Sequence, residues 1–196
     1  MSLAPHSIFY RDQKKILDNN LVDTMIQDGL IDAFNKYHMG VTAENVAKKF
    51  NISRQEQDEF ALNSQKKTQK ALKNDEFKKE LIKIKFKETT LDKDEHPREN
   101  LTIVDLQKLK TVFKENGTVT AGNSSGINDG AAVLLLTSLD KAKEKSIEPL
   151  VKIASWASVG VDPSVMGLGP IGAVREAIKK ANWKINDIEL FEINEA

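Results

Sequence analysis

Between Gly117 and Gly130 the chain reads Gly-Thr-Val-Thr-Ala-Gly-Asn-Ser-Ser-Gly-Ile-Asn-Asp-Gly, and nearly every residue after the threonines is small or turn-forming. Such residues let a backbone lie against a ligand, with N–H groups and hydroxyls aimed inward. The same composition describes an ordinary loop with Asn-Asp-Gly turn chemistry, and spacing alone favours that plainer reading. Other chemistry-bearing groups are sparse. The three histidines, at 6, 38 and 96, are too dispersed to suggest a metal site unaided. No GxxxxGK[ST] phosphate loop occurs, and the glycines of 117–130 are not a GxGxxG between a strand and a helix. Glu44 and Glu56 are not spaced like a carboxylate pair of known use. A count of zero cysteines excludes disulfides, zinc–thiolate sites and a cysteine nucleophile from this chain. No Ser or Thr has a base placed by motif to act in a cysteine's stead.

The elements around this stretch follow from periodicity. Thr118-Val119-Thr120 predicts a short strand, since β-branched residues fit a pleated backbone. Ala131 to Leu136 is an apolar run without polar alternation and fits a strand buried on both faces of a sheet. Ser138 to Lys145 reads as a surface helix, and Leu150 to Val159 as an apolar strand. Pro170 opens a helix with core face Ile171, Val174, Ala177, Ile178 and Ala181, and Ile188 to Ile193 is a closing strand. The last third is therefore α/β.

The first 115 or so residues read as mixed α+β. Lys14 to Asn20 is polar and loop-like, and Leu21 to Leu30 predicts a short amphipathic segment closed by Gly29. Thr42 is expected to cap a helix running through Val46, Ala47 and Phe50. Ser53 and Glu56 form a capping box for a helix reaching about Asn74, with Phe60, Ala61, Ser64, Ala71 and Leu72 inward. Ile82, Ile84 and Phe86 alternate with lysines, which is a strand with one wet face. Thr89 to Asn100 is a charged loop interrupted by Pro97. Thr102 to Asp105 offers a second capping box for a short helix with Leu106 and Leu109 inward.

With 196 residues, zero formal net charge and 30% charged side chains, the composition is that of a soluble globular protein. Basic and acidic residues are interleaved, so nucleic acid is not an expected partner. No stretch reaches transmembrane length and the N-terminus lacks a signal-peptide layout, so neither a membrane nor export is expected. The compartment reads as cytoplasmic.

Four blocks carry a family resemblance. They are Gly117 to Ala132; Asp28-Gly29-Leu30 through Tyr37-His38-Met39-Gly40-Val41-Thr42-Ala43-Glu44-Asn45-Val46-Ala47; Gly160-Val161-Asp162-Pro163 with Met166-Gly167-Leu168-Gly169-Pro170; and Glu192-Ile193-Asn194-Glu195-Ala196. In order and spacing they closely resemble thiolases, the acetyl-CoA acetyltransferase family, over nearly the whole chain. The resemblance implies an incomplete thiolase-like α/β fold. Residues 1–125 would be a coenzyme A-binding α+β insertion (loop) domain. Residues 126–148 would be the last strand and helix of the first thiolase half, and 149–196 the truncated start of the second. Met1 to His6 resembles an interior segment, so Met1 reads as an internal methionine of a longer ancestral frame.

Thiolase chemistry joins two acetyl groups, or splits a 3-ketoacyl thioester, through an acyl-cysteine. The resemblance implies a nucleophilic Cys, a His in a GHP motif and a second Cys, none of which is here. It also implies that Leu30, His38, Met39, Arg98, Phe113, Ala121, Gly122 and Ser125 line a pantetheine tunnel. Apolar walls with a few polar partners suit that narrow, amide-bearing chain, and an arginine fork suits the nucleotide end. By the same resemblance His38 lies near the thioester, and Asn194 holds an oxyanion-hole water. Read alone, His38 and Phe113 are ordinary packed residues, Arg98 a solvated charge and Asn194 a polar strand end. The implied substrate is coenzyme A or acetyl-CoA, with no covalent cofactor and no metal. Complementary thiolase fragments or further copies of the chain are the implied protein partners, in a setting of fatty acid metabolism. A non-catalytic coenzyme A or acyl-thioester binding module, and a remnant making only protein–protein contacts, stay open beside this reading.

Overall fold

The computed structural model describes residues 2–8 and 21–195. The loop expected over Lys14 to Asn20 lies outside those residues. The chain divides into two compact units, one built on His38–Gly126 and the other on Met1–Tyr37 with Ile127–Asn194.

The first unit is ordered by helix caps. Helix α2 (Met39–Phe50) begins one turn earlier than the sequence suggests, because the His38 ring caps it in place of Thr42. The Thr42 hydroxyl is buried inside that first turn and donates to the Met39 carbonyl at 2.6 Å. The helix stops at Asn51, whose backbone is left-handed at φ 54°, a conformation asparagine tolerates well. Ser53 and Glu56 form the expected reciprocal capping box at the start of α3 (Arg54–Lys73). Asp58 and Leu62, one turn apart, are its buried residues and Ala61, Ala71 and Leu72 are half-buried, whereas Ser64 and Phe60, the latter 63% exposed, face outward.

A hairpin follows, β3 (Ile84–Phe86) against β4 (Thr89–Leu91), so the segment expected to be all loop from Thr89 opens as a strand. Both its faces are exposed, where one wet face was expected, with Ile84 60% and Phe86 63% exposed. The second capping box is also present, with Thr102 and Asp105 opening α4 (Ile103–Gln107). Leu106 is fully buried, whereas Leu109 stays exposed at the helix end. Thr118–Thr120 contributes one antiparallel bridge, Thr111 to Thr120. Ala47, Leu62, Leu106 and Val119 form the apolar core of this unit.

The capping box at α3 titrates. Bonds from the Ser53 backbone N–H and hydroxyl hold the Glu56 carboxyl below the usual carboxylate range. A depressed folded pKa adds stability above the unfolded value of about 4.3, and that contribution is lost as pH falls through the folded value. Acidification below about pH 4 should therefore lower the protection of the amides in the first turn of α3 relative to their intrinsic exchange rates, as read by NMR. In Glu56→Gln the protection of the same amides should show no such step.

In the second unit, β1 (His6–Ser7) pairs antiparallel with β2 (Val22–Asp23), and Asp23 caps α1 (Thr24–Gly29). Ser138 caps α5 (Leu139–Glu144), which buries Ala142. A 3-10 turn, Pro163–Leu168, leads into α6 (Gly169–Lys180), with Pro170 in its first turn as expected. Val174, Ala177, Ile178 and Ala181 are half-buried, while Ile171 is exposed. The Ser155 hydroxyl donates to the Ala177 carbonyl at 2.6 Å, and the Lys180 ammonium lies 5.3 Å from the Trp156 ring centre.

The three strands expected at 131–136, 150–159 and 188–193 join no ladder among the described residues. A strand exists only with a neighbouring strand to take its N–H and C=O groups, and none of the three has one among the described residues. Their apolar side chains are correspondingly open, with Leu134 82% and Leu150 99% exposed. No described helix is long and apolar enough to cross a membrane.

Candidate functional site

The small-residue stretch 117–124 is held by two buried carboxylates arriving from different helices. Glu44, on α2, is 5% exposed and faces the start of the stretch. Its carboxylate accepts the Thr118 N–H at 2.8 and 2.9 Å, the Thr118 hydroxyl at 2.9 Å and the Val119 N–H at 2.8 Å. Asp58, on α3, has no exposed surface. It accepts the Asn123 side-chain amide at 3.0 Å and the Arg54 guanidinium at 2.7 Å. Arg54 in turn donates to the Leu106 and Leu109 carbonyls at 2.6 and 3.2 Å, closing the end of α4.

Asn123 completes the fixation from inside the loop. Its oxygen accepts the Thr120 N–H at 2.7 Å, and its amide also donates to the Thr118 carbonyl at 3.0 Å. The Thr120 side chain accepts the Gly122 N–H at 3.2 Å, and the Ser124 hydroxyl donates to the Thr120 carbonyl at 2.7 Å. Buried charges need such partners, because an unpaired one costs several kcal/mol. Turn chemistry alone therefore does not describe this loop.

Three glycines in this unit are small because a neighbour fills the space. A Cβ on Gly40 would overlap the Phe113 ring, one on Gly117 would overlap the Glu44 carboxylate, and one on Gly122 would lie 2.5 Å from both Leu106 and Leu109. No described glycine has a positive φ, so room and not backbone freedom explains them.

His38 and Phe113 are brought together. Their rings stack with centroids 4.5 Å apart and planes 20° from parallel. The Gly40 N–H donates to His38 Nδ1 at 3.0 Å, which in the neutral ring leaves the proton on Nε2. His38 thus presents a fixed Nε2–H from a half-buried ring, a geometry suited to donating toward an oxygen. Phe113 sits in a concavity of about 530 Å³ lined by residues 110–116. Gly40→Ala should push Phe113 off the histidine; overpacking of this kind costs about 1–3 kcal/mol. A lowered urea midpoint, recovered in part by pairing Gly40→Ala with Phe113→Leu, would be the reading.

Arg98 is held through its backbone, not its side chain. Its N–H donates to Gln65 at 2.9 Å and its carbonyl accepts from Gln69, so α3 fixes where the exposed guanidinium begins. Met39 is half-buried in the first turn of α2; Ala121 and Ser125 are exposed and Gly122 half-buried on the loop. These seven residues, His38 to Ser125, all belong to one unit. Leu30, half-buried just after α1, and Asn194, exposed near the last described residue, belong to the other. No group of His, Asp and Glu able to hold a metal occurs among the described residues.

Sequence reasoning missed Glu44, Asp58, Arg54 and Asn123 as site-building residues. The available signal was slight: Glu44 stands one turn before Ala47 and Asp58 one turn before Leu62, each in line with an apolar position of its helix.

The family model described as thiolase, N-terminal domain, matches residues 1–140, and that of the thiolase C-terminal domain matches 147–196. An acetyl-CoA acetyltransferase of Shinella zoogloeoides is 51% identical over all of this chain and 51% of its own length. A probable acetyl-CoA acyltransferase of Staphylococcus aureus is 50% identical over 93% of this chain and 48% of its own. Among solved structures, human mitochondrial 3-ketoacyl-CoA thiolase in complex with CoA superposes with a TM-score of 0.89 at 40% identity, covering all of this chain and 50% of that one. The Bacillus anthracis acetyl-CoA acetyltransferase gives 0.84 at 40% identity, over 95% and 48%. The chain spans about half the length of the curated relatives it matches.

Proposed function

The chain belongs to the thiolase family and has an incomplete thiolase fold, and from that premise we propose that it is the coenzyme A-binding part of an acetyl-CoA acetyltransferase. The observation that carries the proposal is the buried-carboxylate fixation of 117–124 in the same unit as the stacked His38 and Phe113. A loop of small residues with a fixed backbone offers N–H groups and hydroxyls to an amide-bearing chain without the entropy cost of ordering them on binding. Within this reading Met39, Phe113 and Leu30 are apolar walls. Ala121, Gly122 and Ser125 are the close backbone, Arg98 meets phosphate, and His38 Nε2–H meets the thioester oxygen. Asn194 holds an oxyanion water. Residues 1–125 are the insertion domain, 126–148 close the first half and 149–196 open the second.

Acyl transfer itself needs a thiolate, and this chain has no cysteine. The proposed role is therefore binding, with chemistry supplied by complementary thiolase segments. Those segments would also cover 131–136, 150–159 and 188–193. A non-catalytic coenzyme A binding module is the second reading, favoured by the same lack of cysteine.

Calorimetric titration with coenzyme A tests the proposal. Binding should weaken with added salt, because a phosphate near the exposed Arg98 is screened over about 8–10 Å at ordinary ionic strength. Arg98→Ala should weaken it several-fold and flatten the salt dependence, whereas Ser125→Trp should abolish it. Equal heats from both variants and the parent would show that the residues are wrongly assigned.

A further inference from the structure

We propose that Glu44 and Asp58 are positioning residues for coenzyme A, a pair of buried anions that fix residues 118–124 in the one arrangement able to take the ligand. The inference rests on the coenzyme A-binding reading above and goes beyond it, since neither carboxylate is among the residues expected to touch the ligand.

The two anchors act at opposite ends of the same short stretch. Glu44 takes two consecutive backbone N–H groups and the Thr118 hydroxyl at 2.8–2.9 Å. Four short contacts to one carboxylate are what an anion attracts and a neutral amide does not. A glutamine in its place would turn one oxygen into an NH2 that faces N–H donors. Asp58 holds the far end through Asn123, and its own charge is balanced by Arg54 at 2.7 Å. Between the anchors lie Ala121 and Gly122, and Ser125 follows at once. Leu106 and Leu109 pack behind Gly122, so the loop is pressed from one side and tethered from both ends. Without the anchors these backbone groups would still be present but would sample many orientations, and binding would carry the cost of selecting one.

A merely structural pair would move stability alone, so the test separates stability from affinity. The whole chain would be compared as parent, Glu44→Gln, Asp58→Asn and Thr118→Val, with Gln55→Ala on the exposed face of α3 as control. Each would be read by urea midpoint, by amide exchange at 118–125 and by calorimetry with coenzyme A. Thr118→Val removes only one hydroxyl bond to Glu44. It should lower the midpoint by no more than one lost hydrogen bond, speed exchange at 118–120 and weaken coenzyme A several-fold. Glu44→Gln should weaken the ligand at least tenfold while α2 and α3 keep their protection, and Gln55→Ala should change nothing. Should Glu44→Gln fail to fold, Thr118→Val carries the test. Faster loop exchange with unaltered coenzyme A affinity would overturn the positioning role. If the parent gives no heat with coenzyme A, the binding reading fails by itself. In that case slow exchange at 118–125 that collapses in Glu44→Gln would still uphold the anchoring, and exchange that is fast already in the parent would sink it.

Discussion

Acetoacetyl-CoA incubated with free coenzyme A and the purified chain should survive unchanged. The reaction associated with this family runs through an acyl-cysteine, and thiolate attack is what divides one difficult step into two easier ones. This chain offers no thiol. His38 does not substitute. Its Nδ1 is occupied by the Gly40 N–H, and its remaining Nε2–H suits it to donate to a carbonyl oxygen and not to attack one. Enzymic acceleration spans at least about a million-fold, so the expected difference from a full-length relative is the whole signal. Loss of the thioester absorbance should match the buffer blank, and adding cysteine-bearing complementary segments is the condition under which activity should appear. Turnover that co-purifies with the chain through several independent columns would refute this.

The second large effect concerns association. Residues 131–136, 150–159 and 188–193 expose Leu134, Leu135, Leu136, Leu150, Ile153, Trp156, Leu190 and Phe191 along backbone that joins no ladder among the described residues. Each such side chain gains about 1.5–3 kcal/mol when fully buried. Open apolar surface beside unpaired N–H and C=O groups is a template for strand addition. The isolated chain should therefore self-associate with rising concentration in sedimentation experiments. Amides of 54–73 should exchange slowly and those of the three segments fast. The contrast follows from where burial is: Ala47, Leu62, Leu106 and Val119 serve the unit of α2 to α4, whereas among the described residues Ala142 is the buried apolar residue of the other. Complementary segments that cover the strands should raise protection there and suppress self-association together. A monomer with uniformly slow exchange across 150–193 would show that the exposure does not govern its behaviour.

What the sequence made legible was what is local. Both capping boxes, at Ser53–Glu56 and Thr102–Asp105, were readable because all their parts lie within four residues. The start of α6 at Pro170 was readable for the same reason. The carboxylate anchors were not, since Glu44 reaches Thr118 across 74 positions and Asp58 reaches Asn123 across 65. Polarity marks such residues as surface unless their partners are known. The cap of α2 is His38 and not Thr42, and a histidine that caps through Nδ1 has no distinctive sequence pattern. The apolar runs read as buried strands, yet they are exposed and join no ladder among the described residues, since a ladder depends on neighbours no single segment specifies. Among the expected lining residues, the pairing of His38 with Phe113 across 75 positions emerged only from the fold.

Gly40, Gly117 and Gly122 carry a further consequence for how the family can drift. Each is small on account of one identifiable neighbour, Phe113, Glu44 and the Leu106–Leu109 pair respectively, and none is held at a dihedral other residues avoid. Their substitutions should accordingly be conditional. A relative with alanine or serine at the position of Gly40 should carry something slimmer than phenylalanine at that of Phe113. One with a side chain at Gly122 should have given up bulk at 106 or 109. At Gly117 the neighbour is the anchoring carboxylate itself, so trimming it would release the loop. Two of the three glycines are thus free to change in company, and the third is tied to a carboxylate that holds the loop only at its full reach.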